Sequence, residues 1–154
     1  MWLTQPNTYS WRPVQDPLRV PTSKQRGIRA RLNLLGCVDF ASGEVLYREV
    51  ETNTSGTDIV AFLERLAQDA DPNCPTAVVC DRASVHTCAL VAAERAQWKA
   101  RGLILTFLPA YSPELNLMEG RWLHLKYHLL PKRAYEDKAQ LRAAVNKSGW
   151  GQAV

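Results

Sequence analysis

The chain has 154 residues, 46% of them hydrophobic, and a formal charge of +4, which suits one compact domain with a single core and is too little for two. The ordinary composition excludes a fibrous or wholly disordered class, and no apolar run approaches the ~20 residues of a membrane span. Residues Met1 to Pro13 hold no basic region followed by an apolar stretch, so no signal peptide is expected.

The charge is segregated. Thr22 to Arg31 carries Lys24, Arg26, Arg29 and Arg31, and Arg121 to Arg133 carries Arg121, Lys126, Lys132 and Arg133, with no acid in either segment. The remainder is therefore net negative, and a basic surface of this kind suits phosphates, although a merely solvated basic face would look the same. In chain order, Met1 to Val20 is rich in Pro and Trp without a clear period, which predicts extended or irregular chain. Arg31 to Asp39 and Val45 to Val50 read as two strands joined by the turn Ala41-Ser42-Gly43, an antiparallel hairpin. A helix follows to Gln68, capped by Ser55 or Asp58, with Ile59, Phe62, Leu63 and Leu66 on one face.

Asp69 to Pro75 reads as a loop. Thr76 to Cys80 is a continuous apolar run, the pattern of a strand covered on both faces. Val85 to Ala100 reads as a helix and Leu103 to Leu108 as a second buried strand. Pro109 to Asn116 is a stiff connection, Leu117 to about Leu129 a helix, and Glu136 to Asn146 a last helix. The order β-β-α-β-α-β-α-α predicts an α/β layer architecture in one domain, residues 1–154, with a sheet that is thin for so many helices. Cys37, Cys74, Cys80 and Cys88 have no CxxC spacing, and buried free thiols in a reducing compartment are expected.

Two carboxylates stand where chemistry could use them. Asp81 directly follows a buried strand, where ligands of α/β sheets bind, with His86 about one helical turn beyond; capping of the next helix is the plain alternative. Glu119 lies three residues after Asn116, which matches the capping-box spacing and would explain both without function. On an ideal helix, Met118, Trp122, Leu125 and Leu129 share one apolar arc, Lys126 falls near the angle of Glu119, and Arg121, His124 and His128 share a third face.

The block LPAYSPELNLMEGRWLHLK, Leu108 to Lys126, resembles the signature of the mariner-like and bacterial insertion-sequence transposases, the DDE superfamily endonucleases. VVCDRASVH is similar to the strand-end Asp motif of that family. Tyr9 to Pro13 and Leu32 to Gly43 resemble the stretch that follows its first catalytic acid. The resemblance implies an RNase H-like mixed sheet with flanking helices. It also implies Asp81 as the second catalytic acid and Glu119 as the third, supported by His86 and Asn116, with Arg82 in place of the usual asparagine and Leu117 in place of the usual proline.

The implied activity is DNA transposition, by metal-dependent cleavage and strand transfer at element ends. Mg²⁺ or Mn²⁺ would be the cofactor, with two ions in an intact relative, held by Asp81 and Glu119 among others. Lys24, Arg26, Arg29, Arg31, Lys126, Lys132 and Arg133 would hold phosphates of double-stranded DNA. The implied setting is the bacterial cytoplasm at the nucleoid, and the implied assembly a homodimer or an association with a full-length transposase. The first catalytic aspartate of the family has no counterpart here: Asp16 and Asp39 fall at other places. The expectation is a partial catalytic domain lacking the central first strand, and a chain inactive by itself. The alternative function is a non-enzymatic remnant that binds DNA or dimerises; an unrelated α/β protein with a capped helix at Asn116 is a third reading.

Overall fold

In a computed structural model, the residues described are 31–110, 112–131, 135 and 137–154. The irregular stretch expected over Met1 to Val20, and the cations Lys24, Arg26, Arg29, Lys132 and Arg133, lie outside them. The hairpin forms as the alternation predicts. Strands β1 (Asn33–Val38) and β2 (Val45–Val50) pair antiparallel, Asn33 opposite Val50 and Val38 opposite Val45. Asp39 builds the turn: its carboxylate accepts from the backbone N–H of Ala41 and Ser42 at 3.0 and 2.6 Å and from the Ser42 hydroxyl at 2.8 Å. Gly43 closes it at φ 74°, a conformation that side chains resist.

Helix α1 (Gly56–Gln68) starts on Ser55, whose side chain accepts from the backbone N–H of Asp58 while Asp58 accepts from that of Ser55 at 2.9 Å. Both candidate caps therefore act, as a reciprocal capping box. Strand β3 (Thr76–Cys80), helix α2 (Ala89–Ala100) and strand β4 (Leu103–Phe107) form a βαβ unit with the strands parallel and Cys80 opposite Phe107. Helix α2 begins four residues later than the apolar pattern predicts. Residues Ala83 to Thr87 instead make a tight turn, with His86 and Thr87 donating backbone N–H groups to the Ala83 carbonyl at 2.9 and 3.3 Å.

The helix expected over Leu117 to Leu129 divides. Helix α3 (Leu117–His124) passes into a π-helical turn at Leu125–Leu129, closed by the Leu130 N–H on the Leu125 carbonyl at 3.0 Å. A wider turn rotates the residues beyond it off the ideal-helix angle. The apolar arc survives: Leu125 is fully buried, and Met118, Trp122 and Leu129 pack against the same core. Helix α4 (Lys138–Lys147) follows, capped by Asp137. A strand that the pattern gave no sign of, β5 (Gln152–Ala153), then pairs parallel with β2.

The layers follow from β1. On one face Leu34 and Val38 pack with α3, α4 and Trp150 around Tyr47, Leu125, Leu141 and Val145. On the other, Leu35 packs with α1, α2 and the inner side chains of β3 and β4 around Ile59, Leu63, Trp98, Leu103 and Leu105. The architecture is thus mixed α/β with helices on both sides of small sheets. Among the described residues there are two sheets, ordered β1-β2-β5 and β3-β4.

Burial on both faces of β3 and β4 is not met. Val78 and Cys80 turn inward, but Ala77 is exposed, Val79 is 56% exposed, and Ile104 of β4 is exposed beside them. An apolar run without alternation cannot reveal that only one face is covered. All four cysteines are free thiols; Cys37, Cys80 and Cys88 are half-buried, whereas Cys74 is exposed, contrary to expectation. No helix among the described residues is long and apolar enough to cross a membrane.

Candidate functional site

Asp81 is the first residue after β3, so a strand fixes its backbone while its side chain meets solvent. Its Oδ1 accepts from the Ala83 N–H at 2.9 Å and meets His86 Nδ1 at 2.7 Å. The turn that delays α2 is what brings His86 back onto Asp81. The pair is only partly shielded, with Asp81 46% and His86 20% exposed in their side chains. Asp81 does not cap α2. Its N-cap is Cys88, which makes no side-chain cap bond. The capping alternative for Asp81 is therefore replaced by a local Asx turn that leaves the second carboxylate oxygen without a hydrogen bond among the described residues.

Glu119 stands in the first turn of α3. Asn116 caps that helix by accepting from the Met118 N–H at 3.2 Å, and the Glu119 N–H reaches the Asn116 carbonyl at 3.0 Å. The Glu119 side chain does not complete a capping box: it is exposed and makes no hydrogen bond or ion pair among the described residues. Asn116 thus has a structural duty that explains it, while no hydrogen bond or ion pair among the described residues gives one to Glu119.

Met118 and Cys80, the chain neighbours of the two acids, belong to the two core layers on the opposite faces of β1. Met118, beside Glu119, lays its Cε 3.4 Å from where a β-carbon on Gly36 would stand. Cys80, beside Asp81, is pushed up to about 11 first by burial, then by the Asp81 carboxylate, then by the Cys37 thiol. Gly36 and Cys37 are adjacent and point to opposite faces of β1, so α3 packs on one face through Met118, and on the other Leu35 joins the cluster that holds Cys80. Among the described residues no cluster of three His, Cys, Asp or Glu side chains forms. A carboxylate is a hard oxygen donor of the kind that suits a divalent ion such as Mg²⁺ or Mn²⁺, and Asp81 and Glu119 each offer one.

Of the basic residues, Lys126 is half-buried on the π-helical turn without an ion pair among the described residues, and Arg31 has partners near the start of β1. Neither is brought into contact with Asp81 or Glu119 by any hydrogen bond or ion pair among the described residues. Arg121 sits over Gly43 of the hairpin turn, and its carbonyl accepts from the Trp150 indole at 3.0 Å. His124 and His128 stack with ring centres 5.3 Å apart. Arg95, which the sequence gave no reason to single out, sits with Arg82 beside His86; nothing in a helix pattern marks one exposed arginine among several.

A family model described as DDE superfamily endonuclease matches residues 3–142. No curated protein matches the chain.

Proposed function

The chain belongs to the DDE superfamily endonuclease family, and on that premise we propose that it is the catalytic part of an insertion-element transposase of the mariner-like kind. Its substrate is double-stranded DNA, and its reaction is phosphodiester cleavage at element ends followed by strand transfer. The observation that carries this reading is the two acids: Asp81 at the end of β3, oriented by His86, and Glu119 at the start of α3, without a hydrogen bond or ion pair among the described residues.

Asp81 and Glu119 would hold Mg²⁺ or Mn²⁺, which when bound lowers the charge barrier to attack on a phosphodiester. The residues of the chain prepare that site. His86 and the Ala83 N–H fix the Asp81 carboxylate so that one oxygen stays available. Asn116 holds the first turn of α3 and with it the Glu119 backbone. Lys24, Arg26, Arg29, Arg31, Lys126, Lys132 and Arg133 would grip phosphates without reading bases. The sheet is read as RNase H-like, with its central strand not among those described. A cytoplasmic setting at the nucleoid and pairing with a second copy or a full-length transposase complete the proposal.

A second reading is a DNA-binding or dimerisation module without catalysis. It is favoured by one observation: no cluster of three His, Cys, Asp or Glu side chains forms among the described residues. Two-metal chemistry needs a ligand that completes both sites, and misplacement of the existing pair by about 1 Å can cost ~100-fold in rate. Nicking of element-end DNA by purified Met1–Val154 with Mg²⁺ or Mn²⁺, or nicking restored by an acid-bearing strand fused or supplied in trans, should be abolished by Asp81→Asn and by Glu119→Gln. Restoration that survives those two substitutions would refute the assignment of the acids. Failure of any such strand to restore cleavage would favour the non-catalytic module.

A further inference from the structure

Beside the Asp81–His86 pair, an open cavity of about 250 Å³ lies along the start of α2, lined by Arg82, His86, Thr87, Val91, Arg95 and Phe107 among others. The two arginines reach it from different elements. Arg82 leaves the loop after β3 and its Nε donates to the Leu108 carbonyl, at the end of β4, at 3.2 Å. Arg95 comes from the middle of α2, and its Nη2 donates to the Leu105 carbonyl at 3.1 Å, with the guanidinium carbon 5.5 Å from the centre of the Phe107 ring.

These contacts orient both guanidinium groups without neutralising them. A backbone carbonyl uses one of the five N–H donors of a guanidinium, and the Phe107 ring steers Arg95 by its π face. Neither arginine forms an ion pair with an acid among the described residues. Asp81, the nearest candidate in sequence to Arg82, is engaged by His86 and Ala83 instead. Two like charges on one small concavity repel unless an anion joins them. The uncapped start of α2 adds to the same positive field, since Cys88 offers its first turn no side-chain acceptor.

We propose that Arg82 and Arg95 form a phosphate subsite that holds a phosphodiester of the DNA strand lying against Asp81. Planar guanidinium forks match phosphate oxygens, and a tetrahedral phosphate can accept from two forks at once. His86 belongs to both places, lining the cavity while bonded to Asp81, so a strand gripped here passes the carboxylate. Arginine beside the metal-ligating acid is then a substrate clamp and not an obstacle to a cation. The inference rests on the nuclease reading above, because it names the part of the substrate held beside that acid.

Fluorescence anisotropy of the full chain with two duplexes of unrelated sequence, over a range of salt concentrations, tests it. Arg82→Gln and Arg95→Gln should each weaken both duplexes alike and reduce the log–log salt slope by about 0.9, and the double variant by about twice that. Arg82→Lys should keep most of the slope. If the wild type binds DNA and the double variant keeps both slope and affinity, the subsite is wrong and the nuclease reading stands. If the wild type binds neither duplex, that reading fails with it. Calorimetry with inorganic phosphate separates a small-molecule site: phosphate binding lost in the double variant, with DNA affinity unchanged, would overturn the DNA assignment. Should Arg95→Gln lower the melting temperature, Arg82→Gln alone decides, since Arg82 is an exposed loop residue whose loss leaves the core intact.

Discussion

At the scale of single residues, the organising event is the turn after β3. Asp81 accepts from Ala83, the chain doubles back, and His86 arrives at 2.7 Å from the carboxylate. A ligand with one oxygen already fixed loses less freedom when it meets a cation than one on a free rotor. Replacing His86 by Ala should weaken Mn²⁺ binding by about tenfold, with circular dichroism checking that the fold is kept, since the His86 side chain is only 20% exposed. Water-proton relaxation in a Mn²⁺ titration reads this directly; an affinity equal to the wild type's would show that His86 does not position the acid. The motif made Asp81 and His86 visible as neighbours. It could not reveal which nitrogen meets which oxygen, since that depends on the delayed start of α2.

At the scale of elements, α4 is fastened to the hairpin by charge as well as by Leu141 and Val145. Glu49 of β2 meets Arg142 Nη2 at 2.7 Å and Lys138 Nζ at 2.9 Å. The Arg142 hydrogen bonds lead in holding its carboxyl at about 2 against an ordinary 4.5. A pKa depressed in the folded state contributes stability that is complete above the unfolded value and is lost as pH falls through the folded one. The window is thus from about pH 4.5 down to about 2. The pair is partly exposed, so the contribution is on the order of 1 kcal/mol. Thermal melts should show Glu49→Gln destabilised at neutral pH, with the gap to wild type closing across that window. A gap that does not change with pH would exclude the ion pair as its cause. The strands, the hairpin turn and α1 were legible because each rests on local signals: alternation, Asp39 and Gly43, and the Ser55–Asp58 box. The π-helical turn and β5 were not, because both depend on what the chain packs against.

At the scale of the whole molecule, Trp150 ties the hairpin layer together. Its ring lies 4.6 Å from Trp122 and 5.4 Å from Tyr47, and its indole N–H reaches the Arg121 carbonyl at 3.0 Å. One side chain thus joins β2, α3 and the segment leading into β5. Trp150→Ala should cost about 3–5 kcal/mol, the usual range for emptying so large a buried site. Denaturant unfolding measures it, and a loss below about 1 kcal/mol would mean that the C-terminal segment is not part of the core.

The sequence by itself determined the identity and order of most elements and the family resemblance, because these are written in contiguous blocks: TAVVCD, NLME and the alternating hairpin. It also determined that positive charge is segregated, a property of composition alone. Only the tertiary structure decided that Ala77, Val79 and Ile104 are uncovered, that the strands form two sheets among the described residues, and that Arg82 and Arg95 share a cavity. The reason is common to all three. Burial, strand neighbours and charge pairing depend on residues far apart in the chain, and a one-dimensional pattern records what each segment prefers without recording what it meets.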